Sequence, residues 1–176
     1  MRNIILFLMF GFCAFKLVMA QQVPHFSSFV LPSGVKVEIA EMDFSGSALK
    51  AAGCKGQGGP CRINGHIPFG NGDLIPRTYV KEIKVSFEHK SYTLDSSDMY
   101  DAWGDRPLEV KGVIRYFGGK CADQDNCQFR GLFSDAAGSF VAEWRIVAGK
   151  SIRTILTDSA DVMALFRDHI DPPEFE

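Results

Sequence analysis

Four of the five cysteines in this 176-residue chain form two closely spaced pairs, Cys54 with Cys61 and Cys121 with Cys127. Four cysteines allow three disulfide connectivities, and the short spacings favour a bond within each pair. Each bond would close a small loop and contribute roughly 2.4 kcal/mol in the chain-entropy model. A zinc site is the alternative, but the chain has no Cys-x-x-Cys motif to support it. The spacing therefore predicts two local disulfides in an oxidising compartment.

Residues 1–20 have the pattern of a secretory signal peptide. Arg2 precedes an apolar run, and Val18-Met19-Ala20 places small or apolar residues at the cleavage positions. Lys16 interrupts the run and leaves it shorter than the roughly 20 apolar residues that a membrane-spanning helix needs. A retained N-terminal anchor is the alternative. We expect cleavage near Ala20, one globular domain over residues 21–176, a periplasmic or secreted location and no stable membrane insertion.

The mature chain is acidic. Without Arg2 and Lys16, 17 basic residues face 21 acidic ones, so the formal net charge is −4. Nucleic-acid binding is disfavoured, because such proteins carry an excess of Lys and Arg to neutralise phosphates. An acidic surface instead favours encounter with a basic protein, mainly through the association rate.

Alternation of apolar and polar residues predicts a series of strands separated by turn residues. One of them places Tyr79, Ile83 and Val85 on the same face. The short connections between the strands favour an antiparallel meander. The predicted strands cover residues 29–31, 35–39, 79–88, 92–94, 109–117, 127–133, 139–147 and 151–156.

Helical signals are fewer. Short helices are predicted over residues 47–52 and 97–103, each followed by a glycine. A longer one begins at Asp158 or Ser159, carries an apolar stripe that includes Val162 and Phe166, and ends before Pro172. The fold class is therefore α+β, with a mainly antiparallel β-meander sheet, a C-terminal helix and one or two short helices.

No motif for catalysis or metal binding stands out. Ser47-Ala48-Leu49-Lys50 matches a Ser-x-x-Lys pattern, but the partner motifs of that chemistry are missing, and a helix cap explains the serine. Residues 123–126 lack the later glycine and glutamate of a calcium loop. The four histidines are scattered. We therefore predict no catalytic residue, no metal site and no cofactor.

Two regions have the composition of a recognition surface. Residues 53–73 contain seven glycines, and they present His66, Phe69, Asn71 and Asp73 among turn dipeptides. A loop of this length is usually functional or mobile. Trp103 and Arg106 lie close together in a second loop, and such residues often anchor interfaces, although Trp103 also suits a core position. We predict that these six residues contact a protein partner.

The overall profile of the chain resembles the small periplasmic immunity proteins and lysozyme-type inhibitors of Gram-negative bacteria. The resemblance covers the whole chain as a profile and transfers no residue roles. It implies a protein-binding inhibitor, not an enzyme, that neutralises a cell-wall-degrading enzyme by loop occlusion. The expected partner is a basic hydrolase or toxin, and a homodimer is left open. A small envelope hydrolase and a periplasmic ligand-binding or assembly factor are the alternatives.

Overall fold

The computed structural model describes residues 24–54, 60–103, 112–134 and 138–173. The predicted signal peptide over residues 1–20 lies outside these ranges, and so does Arg106. The described residues form ten strands and one α-helix, with bounds as follows: β1 (His25–Val30), β2 (Lys36–Asp43), β3 (Ala51–Ala52), β4 (Arg62–Ile63), β5 (Thr78–Phe87), β6 (Lys90–Leu94), β7 (Phe117–Asp123), β8 (Asn126–Phe133), β9 (Phe140–Val147), β10 (Lys150–Thr157) and α1 (Ala160–Asp168).

The long strands form two four-stranded antiparallel sheets. The first sheet has the order β1-β2-β5-β6, the second has the order β10-β9-β8-β7, and β3 pairs with β4 in a separate short ribbon. The prediction of a mainly antiparallel β fold with a C-terminal helix is confirmed. The strands divide between two sheets, however, where the sequence predicted one. The chain between β2 and β5, which contains the β3–β4 ribbon, interrupts the order of the first sheet.

The two sheets pack face to face around an aromatic core. Phe29 of the first sheet lies 5.0 Å from Phe117 of the second, measured between ring centroids. Phe133 and Trp144 are completely buried in the same cluster, together with Ile83 from β5. Burying one such side chain stabilises the fold by about 1.5–3 kcal/mol. This core holds both sheets in place and gives the surface loops a rigid base.

A β-bulge in β5 changes which residues face the core. The pairing register shifts between Ala40 and Glu41, so that Lys81 has no partner on β2. Val80 therefore joins Ile83 on the buried face. The sequence alternation, which put Tyr79 there, is wrong at this end of the strand, because one extra residue reverses the alternation beyond it.

Neither of the predicted short helices forms. A 3-10 turn over Phe44–Gly46 precedes residues 47–52, and the Ser47 hydroxyl accepts a hydrogen bond from the Leu49 amide (3.2 Å). Such local bonding competes with helix formation. Residues 97–103 form turns whose backbone pairs with neighbouring segments. Of the predicted strand 109–117, residues 109–111 lie outside the described ranges, and Val113–Tyr116 is a 3-10 turn.

Helix α1 packs on the outer face of the second sheet. Its buried Phe166 contacts Leu132 and Val141, and the Arg130 guanidinium carbon lies 5.0 Å from the centroid of the Phe166 ring. The chain after the helix passes so close to β7 that a Cβ atom on Gly118 would lie 2.1 Å from the Ile170 carbonyl oxygen. In the described parts of the chain, no helix is long and apolar enough to cross a membrane.

Both predicted disulfides are confirmed. Cys54 is bonded to Cys61 and Cys121 to Cys127. They are consistent with an extracellular or periplasmic protein, since such bonds persist in oxidising compartments. Among the described residues, no group of three or more histidine, cysteine or acidic side chains is placed to hold a metal ion.

Candidate partner-binding site

The segment over residues 60–77, which contains β4 and leads into β5, is here called the 60–77 loop, and it carries the most exposed apolar side chains near the predicted site. Ile67, Leu74 and Ile75 are 58%, 61% and 41% exposed. Single exposed apolar residues are ordinary, but several on one loop are typical of an interaction surface. These side chains form a defined surface only if the loop backbone holds them in a fixed arrangement.

A tight turn organises the beginning of the loop. Asn64 and Gly65 both have positive φ angles, of 51° and 86°, which the Asn-Gly dipeptide adopts in type I′ turns. The amides and carbonyl oxygens of Ile63 and His66 exchange two hydrogen bonds of 2.9 Å across this turn. The Asn64 side-chain oxygen accepts a third from the Lys50 amide (2.9 Å). The turn predicted from the sequence is therefore anchored on both sides.

The middle of the loop is tied to the chain after β6. The Phe69 amide donates to the Asp98 carbonyl oxygen (2.9 Å), and the Tyr100 amide donates to the Phe69 carbonyl oxygen (2.8 Å). Gly70 lies directly on this segment, because a Cβ atom there would be 1.7 Å from the Tyr100 carbonyl oxygen. Glycine is thus required at position 70 by a close backbone approach.

Asn71 braces the loop from within. Its side chain is buried, donates a hydrogen bond to the Leu74 carbonyl oxygen and lies 3.4 Å from the Cys61 sulfur. The Leu74 amide in turn donates to the Asn71 carbonyl oxygen (3.1 Å). The sequence predicted Asn71 on the partner surface. In the structure the residue is only 6% exposed, and its side-chain nitrogen donates inside the loop.

Trp103 is partly buried and packs against the aromatic core. Its ring centroid lies 5.7 Å from that of Phe117 and 6.1 Å from that of Phe133. It is therefore placed to support the sandwich, which was the alternative that its position in the sequence left open. Arg106, the other residue predicted in this region, lies outside the described residues.

His66 lies on one side of the loop, at a cleft of about 370 Å³ that Tyr79 and Tyr100 help to line. Its Nδ1 atom is 3.4 Å from Asp98 Oδ2. Burial, reinforced by the negative charge of Asp98, raises the pKa of Tyr100 to about 12. Tyr100 is thus a neutral hydrogen-bonding group at physiological pH, not a base.

Phe69 and Asp73 lie on the other side, at a larger groove of about 620 Å³ between the loop and α1. We call it the loop–helix groove. The loop wall also contains Ile67. Asp158, Met163 and Arg167 line it from the helix side. The predicted contact residues therefore separate into two surfaces, with His66 at the tyrosine-lined cleft and Phe69 with Asp73 at the groove.

The sequence analysis missed the helix wall of this groove. The sequence indicates Asp158 only as a possible start of α1 and gives no sign that Met163 belongs to a site. No local signal identifies them as site residues, since their proximity to the loop arises from the packing of α1 on the second sheet. No family model, no curated protein and no solved structure matches this chain.

Proposed function

We propose that this protein is a secreted or periplasmic inhibitor that binds a cell-wall-degrading enzyme and occludes it with the 60–77 loop. The observation that carries the proposal is the exposure of Ile67 and Leu74 on a loop whose backbone is held by other residues. A loop that is already ordered loses little conformational entropy on binding, so more of the favourable contact energy of its apolar side chains contributes to affinity.

The charge of the chain supports the choice of partner. With residues 1–20 removed as a signal peptide, the acidic residues outnumber the basic ones by four. A basic enzyme is the favoured partner, because opposite net charges increase the rate of encounter between two proteins. The two disulfides fit a protein that works outside the cytoplasm. An immunity protein of the periplasm is the specific role that these features favour.

An inhibition assay tests the proposal. The purified protein is titrated against a panel of basic muramidases and amidases, including a c-type lysozyme, and peptidoglycan digestion is followed by turbidity. We expect stoichiometric inhibition of at least one enzyme. Replacing two apolar anchors, in the double variant Ile67→Ser with Leu74→Ser, should weaken inhibition at least about tenfold, because each anchor of an interface is worth more than about 1 kcal/mol.

A matched control separates the loop from general surface effects. Ile114 and Ile152 are also exposed, by 38% and 57%, but belong to the 3-10 turn Val113–Tyr116 and to β10, outside the loop. The double variant Ile114→Ser with Ile152→Ser should inhibit as well as the unmodified protein. The proposal is wrong if no enzyme of the panel is inhibited, or if both double variants lose inhibition equally.

A further inference from the structure

The carboxyl group of Glu41 lies where β2, β5 and residues 98–102, here called the 98–102 segment, meet. Glu41 is only 2% exposed. Its carboxyl group accepts a hydrogen bond from the Thr78 hydroxyl at the start of β5 (3.2 Å) and another from the backbone of Ala102. One buried carboxyl group therefore connects two strands of the first sheet to this segment.

The 98–102 segment also holds the 60–77 loop in place. The Phe69 amide donates a hydrogen bond to the Asp98 carbonyl oxygen (2.9 Å), and the Tyr100 amide donates one to the Phe69 carbonyl oxygen (2.8 Å). These two bonds join the middle of the loop to the segment on both sides of one residue. A displacement of the segment from β2 and β5 would therefore release the loop backbone at Phe69.

The backbone of the 98–102 segment depends on its surroundings. Asp98 and Asp101 have positive φ angles, of 64° and 40°, which are uncommon for residues other than glycine and persist where neighbouring contacts hold them. Those contacts include the Asp101 carboxylate, which accepts hydrogen bonds from the amides of Arg77 (2.8 Å) and Thr78 (2.9 Å). The segment therefore has a local reason to open when a neighbouring contact weakens.

Ionisation of Glu41 would weaken such a contact. The charged groups that face its carboxyl group are His25, its register partner on β1, and Asp101 of the 98–102 segment, while β5 contributes only the neutral Thr78 hydroxyl. A proton on His25 would favour the carboxylate, but the imidazole also lies 3.4 Å from Asp43. Asp101 repels the carboxylate. A buried carboxylate without a close cation is costly, so its ionised form favours an opening that admits water.

We propose that the charge of Glu41 controls the 60–77 loop. The neutral carboxyl group keeps the 98–102 segment closed on β2 and β5, and the carboxylate releases the segment together with the loop backbone at Phe69. The protein then presents an ordered loop in mildly acidic surroundings and a loosened loop above neutral pH. The inference deepens the proposed function and rests on it, because the loop is the element that contacts the enzyme. Only the fraction of molecules with a closed segment binds at full affinity.

Amide hydrogen exchange measures the release directly. Protection factors, which are corrected for the intrinsic pH dependence of exchange, are determined for the Phe69 and Tyr100 amides from pH 5 to 8.5. Burial raises the pKa of Glu41 from 4.5 to about 7 in the closed form, and the open form binds the proton less tightly. We therefore expect protection to fall at least about tenfold over this range. The exchange should change little between 0 and about 1 M urea, because a local opening exposes little surface.

Glu41→Gln is the decisive variant, because glutamine has nearly the same shape and cannot ionise. It should remove the pH dependence of both amides. Glu143→Gln, which replaces the buried acid of the second sheet, is the matched control and should retain the fall in protection. His66→Gln is the second control, since the His66 Nδ1 atom lies 3.4 Å from Asp98 and a histidine also titrates in this range. Loss of the fall in His66→Gln would assign the pH dependence to His66 and overturn the inference.

The inhibition assay relates the release of the loop to function. For an enzyme that the protein inhibits, the inhibition constants of the unmodified protein and of Glu41→Gln are compared at each pH, so that the pH dependence of the enzyme itself cancels. The two constants should agree at pH 5.5. At pH 8.5 the unmodified protein should bind at least about threefold more weakly than the variant, because a smaller fraction of its molecules has a closed segment.

The outcomes separate this inference from the proposed function. Protection that does not change with pH, or that follows the urea dependence of global unfolding, overturns the control by Glu41, and so do equal inhibition constants at pH 8.5. If the Ile67 and Leu74 variant still abolishes inhibition in those cases, the proposed function stands. Release of the loop that depends on pH and on Glu41, without inhibition of any hydrolase, supports the control by Glu41 and contradicts the inhibitor function.

Discussion

Each of the two sheets buries one glutamate, and the two carboxyl groups have opposite properties. Glu41 on β2 accepts a hydrogen bond from the Thr78 hydroxyl (3.2 Å), and desolvation by burial raises its pKa to about 7. Glu143 on β9 is just as buried, but accepts a charged hydrogen bond from Arg130 Nε (2.7 Å) and another from Thr154 (2.9 Å). These partners outweigh desolvation and lower its pKa.

The difference shows that partners, more than burial, decide the charge of a buried acid. Glu41 follows the inward-facing residues Val37 and Ile39 on β2, where the facing sheet supplies no cation within ion-pair distance among the described residues. Glu143 lies under α1 on the outer face, where Arg130 reaches both the carboxylate and the His169 carbonyl oxygen (3.2 Å). The first sheet therefore contains a carboxyl group that titrates near neutral pH, and the second contains an ion pair that persists at neutral pH and is lost only in acid.

The two disulfides also lie in different settings, one inside a sheet and one beside the candidate site. Cys121 and Cys127 are direct cross-strand partners in the β7–β8 hairpin, which the sheet already holds in register. Cys54 and Cys61 link the end of β3 to the residue before β4, in a ribbon with only two residue pairs at the start of the 60–77 loop. The Cys121–Cys127 bond reinforces a hairpin that the sheet already holds, whereas the Cys54–Cys61 bond helps to define the candidate site.

The largest effect is expected from removing the cation of the second sheet. Arg130→Met should lower the free energy of unfolding at pH 7 by about 3–5 kcal/mol, because it leaves a buried carboxylate without its partner. Urea unfolding measures the change. Arg145→Met is the control, since Arg145 is half exposed and lies 3.7 Å from the same carboxylate. Equal losses in the two variants would show that the buried Arg130–Glu143 pair contributes no more stability than the exposed Arg145.

The next effect concerns the pH dependence of the first sheet. Because folding raises the pKa of Glu41 from 4.5 to about 7, the folded state binds the proton more tightly, and stability falls as the pH rises through this window. Because glutamine cannot ionise, Glu41→Gln should avoid this loss and be more stable than the unmodified protein above pH 7, by up to about 3 kcal/mol. Urea unfolding at pH 5 to 8.5 tests this.

Glu143→Gln provides the opposite sign. Folding lowers the pKa of Glu143, so its contribution is present above the unfolded value of 4.5 and disappears as the pH falls through the folded value. The variant should therefore be less stable than the unmodified protein at pH 7, and the difference should shrink in acid. A stabilising effect of this variant at pH 7 would break the contrast between the sheets.

Removal of either disulfide should lower stability by a similar amount, roughly 2.4 kcal/mol, since the closed loops have nearly the same length. The variants are Cys54→Ser with Cys61→Ser and Cys121→Ser with Cys127→Ser. Only the first should increase amide hydrogen exchange over residues 60–77 and weaken inhibition. Loss of inhibition in both variants would indicate that the loop depends on global stability.

The smallest effect is expected from the exposed loop side chains. Ile67→Ser with Leu74→Ser should change the free energy of unfolding by less than about 0.5 kcal/mol per site, because surface substitutions remove little buried area. Thermal unfolding measures this, alongside the inhibition assay. A large loss of stability would mean that these side chains support the fold and are not held ready for a partner.

Much of the second sheet was predictable because its signals are local. Strands predicted over 139–147 and 151–156 are found at Phe140–Val147 and Lys150–Thr157. They alternate clearly, and Gly149, with a φ of 75°, suits the tight turn between them. The helix predicted at residues 47–52 failed because propensity alone cannot show that Ser47 bonds the backbone next to it.

The candidate site was predictable only in part. Glycine content identified the loop that carries Phe69 and Asp73, because turn residues are visible in the sequence. The same criterion selected Asn71, which the Cys61 contact and the Leu74 hydrogen bond bury. It could not identify Asp158, Met163 or Arg167, since their position beside the loop depends on where α1 packs.

The sequence by itself determined the disulfide pairing, most strands and the terminal helix. These features depend on short loop closure and on periodicity, both of which act over a few residues. The tertiary structure decided the division into two sheets, the opposite pKa shifts of Glu41 and Glu143, and the union of loop and helix around one groove. Each of these depends on contacts between segments far apart in the chain. Local sequence patterns do not show which distant segments meet, and tertiary packing decides it.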